Sequence, residues 1–224
     1  MEVLFEDNHI IVVSKSSSEI VQGDKTGDKP LSDTVKDYIK EKHNKPGNVF
    51  LGVVHRLDRP VSGIVLFAKT SKALSRLNEM FREGQVNKKY WAIVKNRPAT
   101  PVGKLTHYLI KNEKQNKSYA YAQPKANGKK AELEYREIAS SDNYFILEVN
   151  LLTGRHHQIR TQLSKMGCCI KGDLKYGAPR SNPNGSISLH ARFLSFVHPV
   201  TKEEVSFEAP CPNDDIWDTF DFYN

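Results

Sequence analysis

The chain has 224 residues, which is room for one domain of ordinary size or for one domain and a small lobe. Apolar residues make up 38%, charged residues 26%, and the formal net charge is +7. This composition excludes a wholly disordered or collagen-like chain, and no uncharged run approaches the roughly 20 apolar residues of a membrane-spanning helix. No signal peptide is visible, and three cysteines fit neither a disulfide framework nor a zinc site, so we expect a reducing cytosol.

The charge is distributed unevenly along the chain. Between Arg82 and Glu132 there are 12 basic and 3 acidic residues, whereas from Thr201 onward one Lys stands against 7 acidic residues. The stretch KNEKQNKSYAYAQPKANGKK, with tyrosines among its lysines, suits a phosphate backbone, because each neutralised phosphate releases condensed counterions. A solvated lysine hairpin without a partner would have the same composition, so charge alone leaves both readings open.

The first half of the chain is predicted to form a hairpin and two helices. The β-branched runs Val3–Phe5 and Ile10–Val13, separated by EDNH, predict the hairpin. Helical spacing in LSDTVKDYIKEKH predicts the first helix, with Ser32 or Asp33 as its cap. The second helix is expected to start at a Ser71 cap and to end at Gly84.

After Gly84 the apolar period becomes two, which predicts several strands as far as Leu152. HHQIRTQLSKMG then predicts a short helix that ends at Gly167 and buries Ile159 and Leu163. Strands resume over residues 188–197 and 204–207. Many strands with about three helices predict one α+β domain over 1–224, with a mixed, mostly antiparallel sheet and flanking helices.

One cluster of polar residues lies in VVHRLDRPVSGIVLFAK and consists of His55, Arg56, Asp58 and Arg59. An apolar run precedes the cluster, and a buried-looking strand, Ile64–Ala68, follows it. Asp58 is therefore expected on a loop between two core strands, a common position for catalytic groups. An Asp that closes an Asp-Arg-Pro turn and bridges to an arginine would look the same. The residues alone leave both readings open.

A second cluster, LTGRHHQIRTQL, places Arg155, His156, His157 and Arg160 at the start of a helix. Such a helix start could hold a phosphate or a carboxylate. A metal site is disfavoured, because the adjacent histidines are expected to point to different faces and no HExxH spacing is present. Tyr90, at the head of the strand NKKYWAIV, would by itself suggest packing rather than catalysis.

Nucleotide and cofactor motifs are missing from the sequence. It contains no Walker loop, no GxGxxG, no GxSxG and no CxxC pair. These absences argue against nucleotide-driven, dinucleotide-dependent, serine-hydrolase and zinc chemistry.

Taken together, the segments resemble the RluA-type family of RNA pseudouridine synthases. HRLDRPVSG is similar to the family's HRLDxxTSG, KKYWAIV to its K-x-Y-x-A-x-V strand, GRHHQIR to GRTHQIR, and KGDLKYG to the GDxxYG that follows. The opening VLFEDNHIIVVSK and the closing LHARFLSFVHPVTKEEVSFEAPCP resemble the family's first hairpin and last strands. The resemblance covers nearly the whole chain, in order, and implies the pseudouridine synthase catalytic fold.

The resemblance implies an isomerase that needs neither cofactor nor metal. Asp58 would be the essential carboxylate, either attacking C1′ of the uridine or removing its 2′ proton. Arg160 would keep Asp58 charged and oriented, and Tyr90 would stack on the uracil and take the C5 proton. The uridine would be flipped out of its stem, with Arg56 filling the vacated space.

The implied partner is a stem-loop of ribosomal or transfer RNA, bound by a cytoplasmic protein that is expected to be a monomer. The residues assigned to RNA contact are Arg56, His55, Arg59, Arg155, Lys88 and Lys89. For His55 a structural hydrogen-bonding role is preferred to that of an acid or base. The alternatives are a catalytically idle RNA-binding protein of the same fold and an RNA hydrolase.

The sequence departs from the family pattern at several positions. Val61 replaces the usual Thr, SKSSSEIVQ replaces the KPxG loop, His156 replaces a Thr, and Cys168-Cys169 stand where a Pro is often seen. None of these changes removes an expected catalytic group, but the altered loop at Ser16–Ser18 could change substrate contacts. The extra N-terminal RNA-binding module of many relatives is expected to be absent.

Overall fold

The computed structural model of the protein describes residues 1–220. Contacts between Cα atoms divide the chain into two compact units. Unit 1 comprises Met1–Val86 and Arg192–Pro210, and unit 2 comprises Asn87–Ala191 and the residues from Cys211 onward. That the whole chain forms one catalytic domain stays a prediction.

Unit 1 is built around a sheet whose strand β2 (Ile10–Lys15) lies between β1 (Glu2–Glu6) and β4 (Ser62–Ala68) and is antiparallel to both. The two-residue strand β3 (Gly52–Val53) also pairs with β4, and β11 (Glu204–Glu208) pairs antiparallel with the part of β10 (Leu189–Val197) that belongs to this unit. The predicted first hairpin is therefore confirmed. The elements are β1 (Glu2–Glu6), β2 (Ile10–Lys15), α1 (Leu31–Lys42), β3 (Gly52–Val53), β4 (Ser62–Ala68), α2 (Ser71–Arg82), β10 (Leu189–Val197) and β11 (Glu204–Glu208).

Both predicted helices of unit 1 form, but their caps differ from the prediction. The cap of α1 is Pro30, whose extended backbone leads into the helix, so Ser32 and Asp33 already lie in the first turn. The cap of α2 is Thr70 rather than Ser71, and its side chain accepts a hydrogen bond from the Ala73 N–H at 3.2 Å. The predicted end of α2 is confirmed, because Gly84 adopts a φ of +71° just beyond the last turn.

The core of unit 1 lies between its sheet and α2. Every residue of β4 is buried, and four consecutive residues of β2, Ile10–Val13, are fully inaccessible. Ala73 and Leu77 of α2 pack in the same apolar cluster as Ile64 and Leu66. Burial on both faces explains why these strands are continuous apolar runs without alternation.

Unit 2 contains an antiparallel sheet of five strands in the order β5 (Asn87–Val94), β9 (Phe145–Leu151), β8 (Lys129–Ser140), β6 (Val102–Asn112) and β7 (Lys117–Tyr121). Trp91 of β5 packs against a cluster formed by Ile93, Ile146 and Trp217. The elements are β5 (Asn87–Val94), β6 (Val102–Asn112), β7 (Lys117–Tyr121), β8 (Lys129–Ser140), β9 (Phe145–Leu151), α3 (Gln158–Lys165), a short 3-10 helix (Leu174–Tyr176) and α4 (Asp215–Asp218). The predicted α+β class with a mostly antiparallel sheet is confirmed.

Helix α3 begins at Gln158, two residues later than the sequence pattern suggests. His157 precedes it with a left-handed backbone, φ +51° and ψ +28°, which breaks the helical repeat at that residue. The burial of Ile159 and Leu163 is confirmed, and Gly167 ends the segment with a φ of +88°. Within residues 1–220, no helix is long and apolar enough to cross a membrane.

Candidate active site

Asp58 lies in unit 1 on the loop of residues 54–61, between the paired strands β3 and β4. We call this segment the Asp58 loop. The Val61 N–H donates to the Asp58 carbonyl at 3.0 Å and closes a turn, while the side chain of Asp58 is half-buried. The expected position between two core strands is confirmed. A turn position and a functional carboxylate are compatible, because a backbone hydrogen bond closes the turn.

The Asp58 loop is anchored by a lysine to which the sequence pattern assigned no role. Lys15, the last residue of β2, is only 1% exposed, and its Nζ donates to the carbonyls of Ser16 (2.8 Å), Arg59 (3.2 Å) and Val61 (2.6 Å). Two of these carbonyls are on the Asp58 loop, so the ammonium group fixes the backbone on the C-terminal side of Asp58.

The electrostatic situation of Lys15 is unusual because its nearest acceptors carry no net charge. Burial lowers the pKa of Lys15 to about 8, against the attraction of the Glu19 and Asp58 carboxylates. Loss of the proton in mildly alkaline solution would therefore weaken the anchor of the Asp58 loop.

The segment SKSSSEIVQ, which departs from the family pattern, also contacts the Asp58 loop. The Ser18 N–H donates to the Arg59 carbonyl at 2.9 Å, and Ser18 has a φ of +78°. The Ser16 N–H is bound by the Glu19 carboxylate at 2.8 Å. This segment therefore supports the backbone of the loop that carries Asp58.

His55 has the structural role expected for it. Its Nε2 accepts a hydrogen bond from the Leu66 N–H at 3.0 Å, and its ring stacks on Phe81 of α2 at a centroid distance of 5.0 Å. These contacts join the start of the Asp58 loop to β4 and α2. A contact between His55 and RNA stays a prediction.

The two arginines of the Asp58 loop differ in their surroundings. Arg56 is exposed. Arg59 donates to Asp28 at 2.7 Å and to Thr26 at 2.8 Å, and these bonds tie the loop to the segment of residues 24–28. Of the two side chains, Arg56 is therefore the more accessible to an RNA.

Arg160 lies in unit 2, in the first turn of α3, and is 5% exposed. Its Nε and Nη2 donate to the two carboxylate oxygens of Asp173, at 2.7 and 2.9 Å. Such a bidentate pair fixes the plane of the guanidinium group. Asp173 belongs to the KGDLKYG motif, in which the sequence alone indicates no role for its carboxylate.

Tyr176, at the end of the same motif, connects three segments around Arg160. Its hydroxyl accepts a hydrogen bond from the Ser118 N–H at 2.8 Å and is hydrogen-bonded to His157 Nδ1 at 2.9 Å. Its ring centroid lies 5.1 Å from the Arg160 guanidinium carbon. Burial raises the pKa of the Tyr176 hydroxyl above its ordinary value.

The expectation that His156 and His157 point to different faces is wrong. Their rings stack at a centroid distance of 3.8 Å and an interplanar angle of 20°. The left-handed backbone of His157 brings successive side chains to one side. Nδ1 of His156 is hydrogen-bonded to the Ser118 hydroxyl at 2.8 Å. No group of three or more metal-ligating side chains occurs among the described residues.

The other candidates of unit 2 lie on or near its sheet. Tyr90 is 9% exposed and pairs with Val149 across β5 and β9. Lys88 is half-buried, and burial lowers its pKa, whereas Lys89 lies 3.5 Å from Glu148. Arg155 is exposed and donates through Nε to the Lys130 carbonyl at 3.0 Å.

The lysine-rich segment of the sequence forms β6, β7 and the start of β8. The ammonium group of Lys125 lies 4.1 Å from the ring centroid of Tyr121, and that of Lys117 lies near the rings of both Tyr119 and Tyr176. Tyr119 is 40% exposed. Aromatic rings accompanied by cations suit single-stranded nucleic acid, whose bases stack while its phosphates are neutralised.

Comparison with known proteins defines the class of this protein. Residues 9–165 match the model of the family described as RNA pseudouridylate synthase. Because the match covers more than half of the chain, the chain belongs to the RNA pseudouridylate synthase family, and it is an isomerase.

Curated relatives refine the family assignment. The chain is 31% identical to the ribosomal large subunit pseudouridine synthase D of Zymomonas mobilis, over 96% of this chain and 70% of the relative. It is 32% identical to the ribosomal large subunit pseudouridine synthase C of Rickettsia prowazekii, over 94% and 68%. The resemblance to the RluA-type family is confirmed.

A solved structure supports the same conclusion at the level of the fold. Human RNA Pseudouridylate Synthase Domain Containing 4 has a TM-score of 0.79 to this chain and 25% sequence identity, and the match covers 95% of this chain and 89% of that one. The expected pseudouridine synthase fold is confirmed.

Proposed function

We propose that the chain converts uridine to pseudouridine in a structured segment of ribosomal RNA, with Asp58 as its essential carboxylate. The observation that carries this proposal is the Asp58 loop in unit 1, which contains the HRLD motif and whose backbone next to Asp58 is fixed by the buried Lys15 of β2. The names of the curated relatives support ribosomal RNA as the first substrate to test. Transfer RNA is the second, and the cytoplasm is the proposed location.

The reaction is balanced without an added reactant. The bond between C1′ and N1 of the uridine breaks, the base turns, and a bond between C1′ and C5 forms. The proton of C5 is released, and N1 gains a proton. The residues must therefore provide a carboxylate at the sugar, a support for the detached base and a base for the C5 proton.

Asp58 is proposed to act at the sugar, either as a nucleophile at C1′ or as a base at the 2′ carbon. Both roles require an ionised carboxylate. The Asp58 carboxylate attracts the buried Lys15 ammonium and so opposes the loss of its proton.

Tyr90 and Arg160 are the proposed partners of Asp58 in the reaction. Tyr90 would stack on the uracil and accept the C5 proton, and Arg160 would orient the Asp58 carboxylate. The bidentate pair with Asp173 supports this role of Arg160, because it leaves the guanidinium group one orientation.

Arg56 is proposed to occupy the space left by the flipped uridine, and its exposure supports that role. His55, Arg59, Arg155, Lys88 and Lys89, together with the lysine-rich strands, would contact the RNA around that nucleotide. Phosphate contacts of this kind position the RNA without reading its sequence.

Tritium release tests the proposed function. Transcripts of bacterial ribosomal and transfer RNA carrying 5-³H-uridine are incubated with wild-type protein and with the Asp58→Asn variant. We expect release by the wild type only, and RNA affinity of Asp58→Asn within a few-fold of wild type, because the carboxylate contributes little to phosphate contacts. Release by Asp58→Asn at the wild-type rate would remove Asp58 from the chemistry.

The same samples separate the alternatives. Intact RNA on a gel with tritium release indicates isomerisation, and shortened RNA indicates a hydrolase. Binding without tritium release from any transcript would indicate the idle RNA-binding protein and overturn the proposed function.

Arg56→Ala tests base flipping. We expect its tritium-release rate to fall about tenfold more on a stem-loop substrate than on a short unpaired RNA, because unstacking costs a few kcal/mol only in the stem. The matched control is Arg82→Ala, which removes an exposed arginine of α2 in the same unit. Equal losses on both substrates would remove the flipping role of Arg56.

A further inference from the structure

Unit 2 contains a groove of about 680 Å³ that none of the proposed roles uses. Its cationic lining residues are Lys95, Lys171 and Arg180, and none of its lining residues within 1–220 is a carboxylate. We call it the basic groove. A groove with three cations and no acidic residue is suited to a polyanion rather than to a neutral or cationic ligand.

Two of the three cations are exposed side chains, whereas Lys171 donates to the amide oxygen of Asn182. Lys95 and Arg180 are exposed, and neither forms an ion pair with any residue that the structure describes. Arg97, two residues after Lys95, provides the contrast, because its Nε and Nη2 donate to Glu137 at 3.0 and 2.7 Å. Lys95 and Arg180 therefore keep their charge available for a ligand.

The wall of the basic groove is fixed by buried hydrogen bonds. Asn182, 6% exposed, donates to the hydroxyls of Ser186 and Ser188 at 3.2 Å each and accepts a bond from Lys171 Nζ at 2.6 Å. Gly172 has a φ of +86°, and a Cβ there would lie 2.7 Å from the Ser186 carbonyl oxygen. The segment that carries Arg180 is therefore packed closely against residues 171–172.

Backbone pairing places this wall beside the end of β5. The Lys171 N–H donates to the Ile93 carbonyl and the Ile93 N–H to the Ser188 carbonyl, both at 2.9 Å. Lys95 follows β5 directly, five residues after Tyr90, which corresponds to about 17 Å along an extended strand. The basic groove therefore lies at the end of the strand that carries Tyr90.

We propose that the basic groove binds phosphates of the substrate RNA several nucleotides from the uridine that is modified. The proposal rests on the proposed function for the identity of the ligand as RNA. Lys95 and Arg180 would each neutralise one phosphate, and the half-buried ring of Tyr144 at the groove offers a surface against which a base could stack.

The salt dependence of RNA binding tests the basic groove. The double variant Lys95→Gln/Arg180→Gln is made in the Asp58→Asn protein, so that the RNA stays unmodified, and its Kd for a large-subunit ribosomal RNA transcript is measured from about 50 to 200 mM salt. We expect a Kd raised about tenfold and a log–log salt slope reduced by about 1.5, because two phosphate contacts are lost. The matched control is Lys45→Gln/Lys202→Gln, which removes two exposed lysines of unit 1.

A footprint locates the contact independently of affinity. The Asp58→Asn protein is acetylated with and without the transcript, and each lysine is quantified by mass spectrometry. We expect Lys95 to be protected at least threefold and Lys45 to be unchanged. Unprotected Lys95, or a salt slope equal to that of the control variant, would overturn the proposal.

The two proposals fail differently. Tritium release by wild type without protection of Lys95 would overturn the basic groove and leave the proposed function standing. Protection of Lys95 without tritium release from any transcript would do the reverse, because the groove would bind RNA in a protein that does not isomerise it.

Discussion

Unit 1 and unit 2 each contain a buried cation that supports the proposed chemistry, Lys15 in unit 1 and Arg160 in unit 2. The two cations are stabilised in different ways. Lys15 of unit 1 donates to three neutral backbone carbonyls, whereas Arg160 of unit 2 forms a bidentate ion pair with the carboxylate of Asp173. The first arrangement fixes the backbone of a loop, and the second fixes the plane of a side chain.

The difference has consequences for pH dependence. Neutral carbonyls do not compensate fully for the lost hydration of an ammonium group, so the pKa of Lys15 falls to about 8. Arg160 has a partner of opposite charge, and a guanidinium group does not lose its proton in proteins. We therefore expect alkaline pH to act on the loop of unit 1 and not on the arginine of unit 2.

The largest effect is expected from removal of the Asp173 charge. Asp173→Asn leaves the guanidinium group of Arg160 buried without its counter-ion, which should lower the free energy of unfolding by about 4 kcal/mol. Denaturant unfolding at neutral pH measures the change. The control is Asp37→Asn, which breaks the exposed pair with Lys29 and should leave the unfolding midpoint unchanged.

A double replacement separates the effect of an unpaired buried charge from the effect of altered side-chain packing. Arg160→Met/Asp173→Leu removes both charges and should be more stable than Asp173→Asn alone, because no uncompensated charge stays buried. If Asp173→Asn were as stable as wild type, the charge of Asp173 would not be what keeps Arg160 buried.

The second-largest effect is expected in the pH dependence of stability that the titration of Lys15 causes. The folded pKa of about 8 lies below the unfolded value of 10.5, so between these values the unfolded chain binds a proton that the folded protein does not. Stability contributed by this residue therefore rises with pH, by about 3 kcal/mol in total between pH 8 and 10.5. The measurement is the difference in unfolding free energy between wild type and Lys15→Met across that range.

Lys45→Met is the control for that difference, because it removes an exposed lysine of the same unit and should show no slope between pH 8 and 10.5. A flat difference between wild type and Lys15→Met would mean that Lys15 titrates near its ordinary pKa. Tritium release should also decline above pH 8, as the Asp58 loop loses the charge that anchors it.

Much of the fold could be predicted because it follows local rules. The β-branched runs at Val3–Phe5 and Ile10–Val13 form the first hairpin, and Gly84 and Gly167 end their segments with the positive φ that glycine allows. The predictions of the helix caps were wrong because neighbouring residues are equally able to serve as the N-cap. Thr70 and Ser71 are both suitable caps, and only the geometry of the preceding strand selects Thr70.

The site could be predicted only in part, because its support depends on contacts distant in sequence. Lys15 lies 44 residues from the Arg59 carbonyl that it binds, and the pattern SKSSS gives no indication of burial. Asp173 was present in a quoted motif, but its pairing with Arg160 needs the turn that follows α3. The ring stacking of His156 and His157 depends on one left-handed residue that no sequence period reveals.

The smallest expected effect comes from Glu6, whose titration affects the stability of unit 1 in acid, whereas that of Lys15 affects it in alkali. Although burial opposes ionisation, hydrogen bonds from Lys42 (2.8 Å), Lys69 (2.6 Å) and His43 (2.8 Å) lower the pKa of Glu6 to about 2. The folded pKa lies below the ordinary 4.5, so its stabilisation is complete above pH 4.5 and is lost as the pH falls towards 2.

Glu6→Gln should therefore cost about 2 kcal/mol of unfolding free energy at pH 7 and almost nothing at pH 2, a difference limited by the solvent exposure of Lys42 and His43. Urea unfolding at both pH values measures it, with Glu2→Gln, an exposed residue of the same strand, as the control. An equal cost at pH 2 and pH 7 would show that the shape of the Glu6 side chain, rather than its charge, stabilises unit 1. With Lys15 intact, Glu6→Gln should change the slope of stability against pH only below about pH 4.5, because the two groups titrate in separate pH ranges.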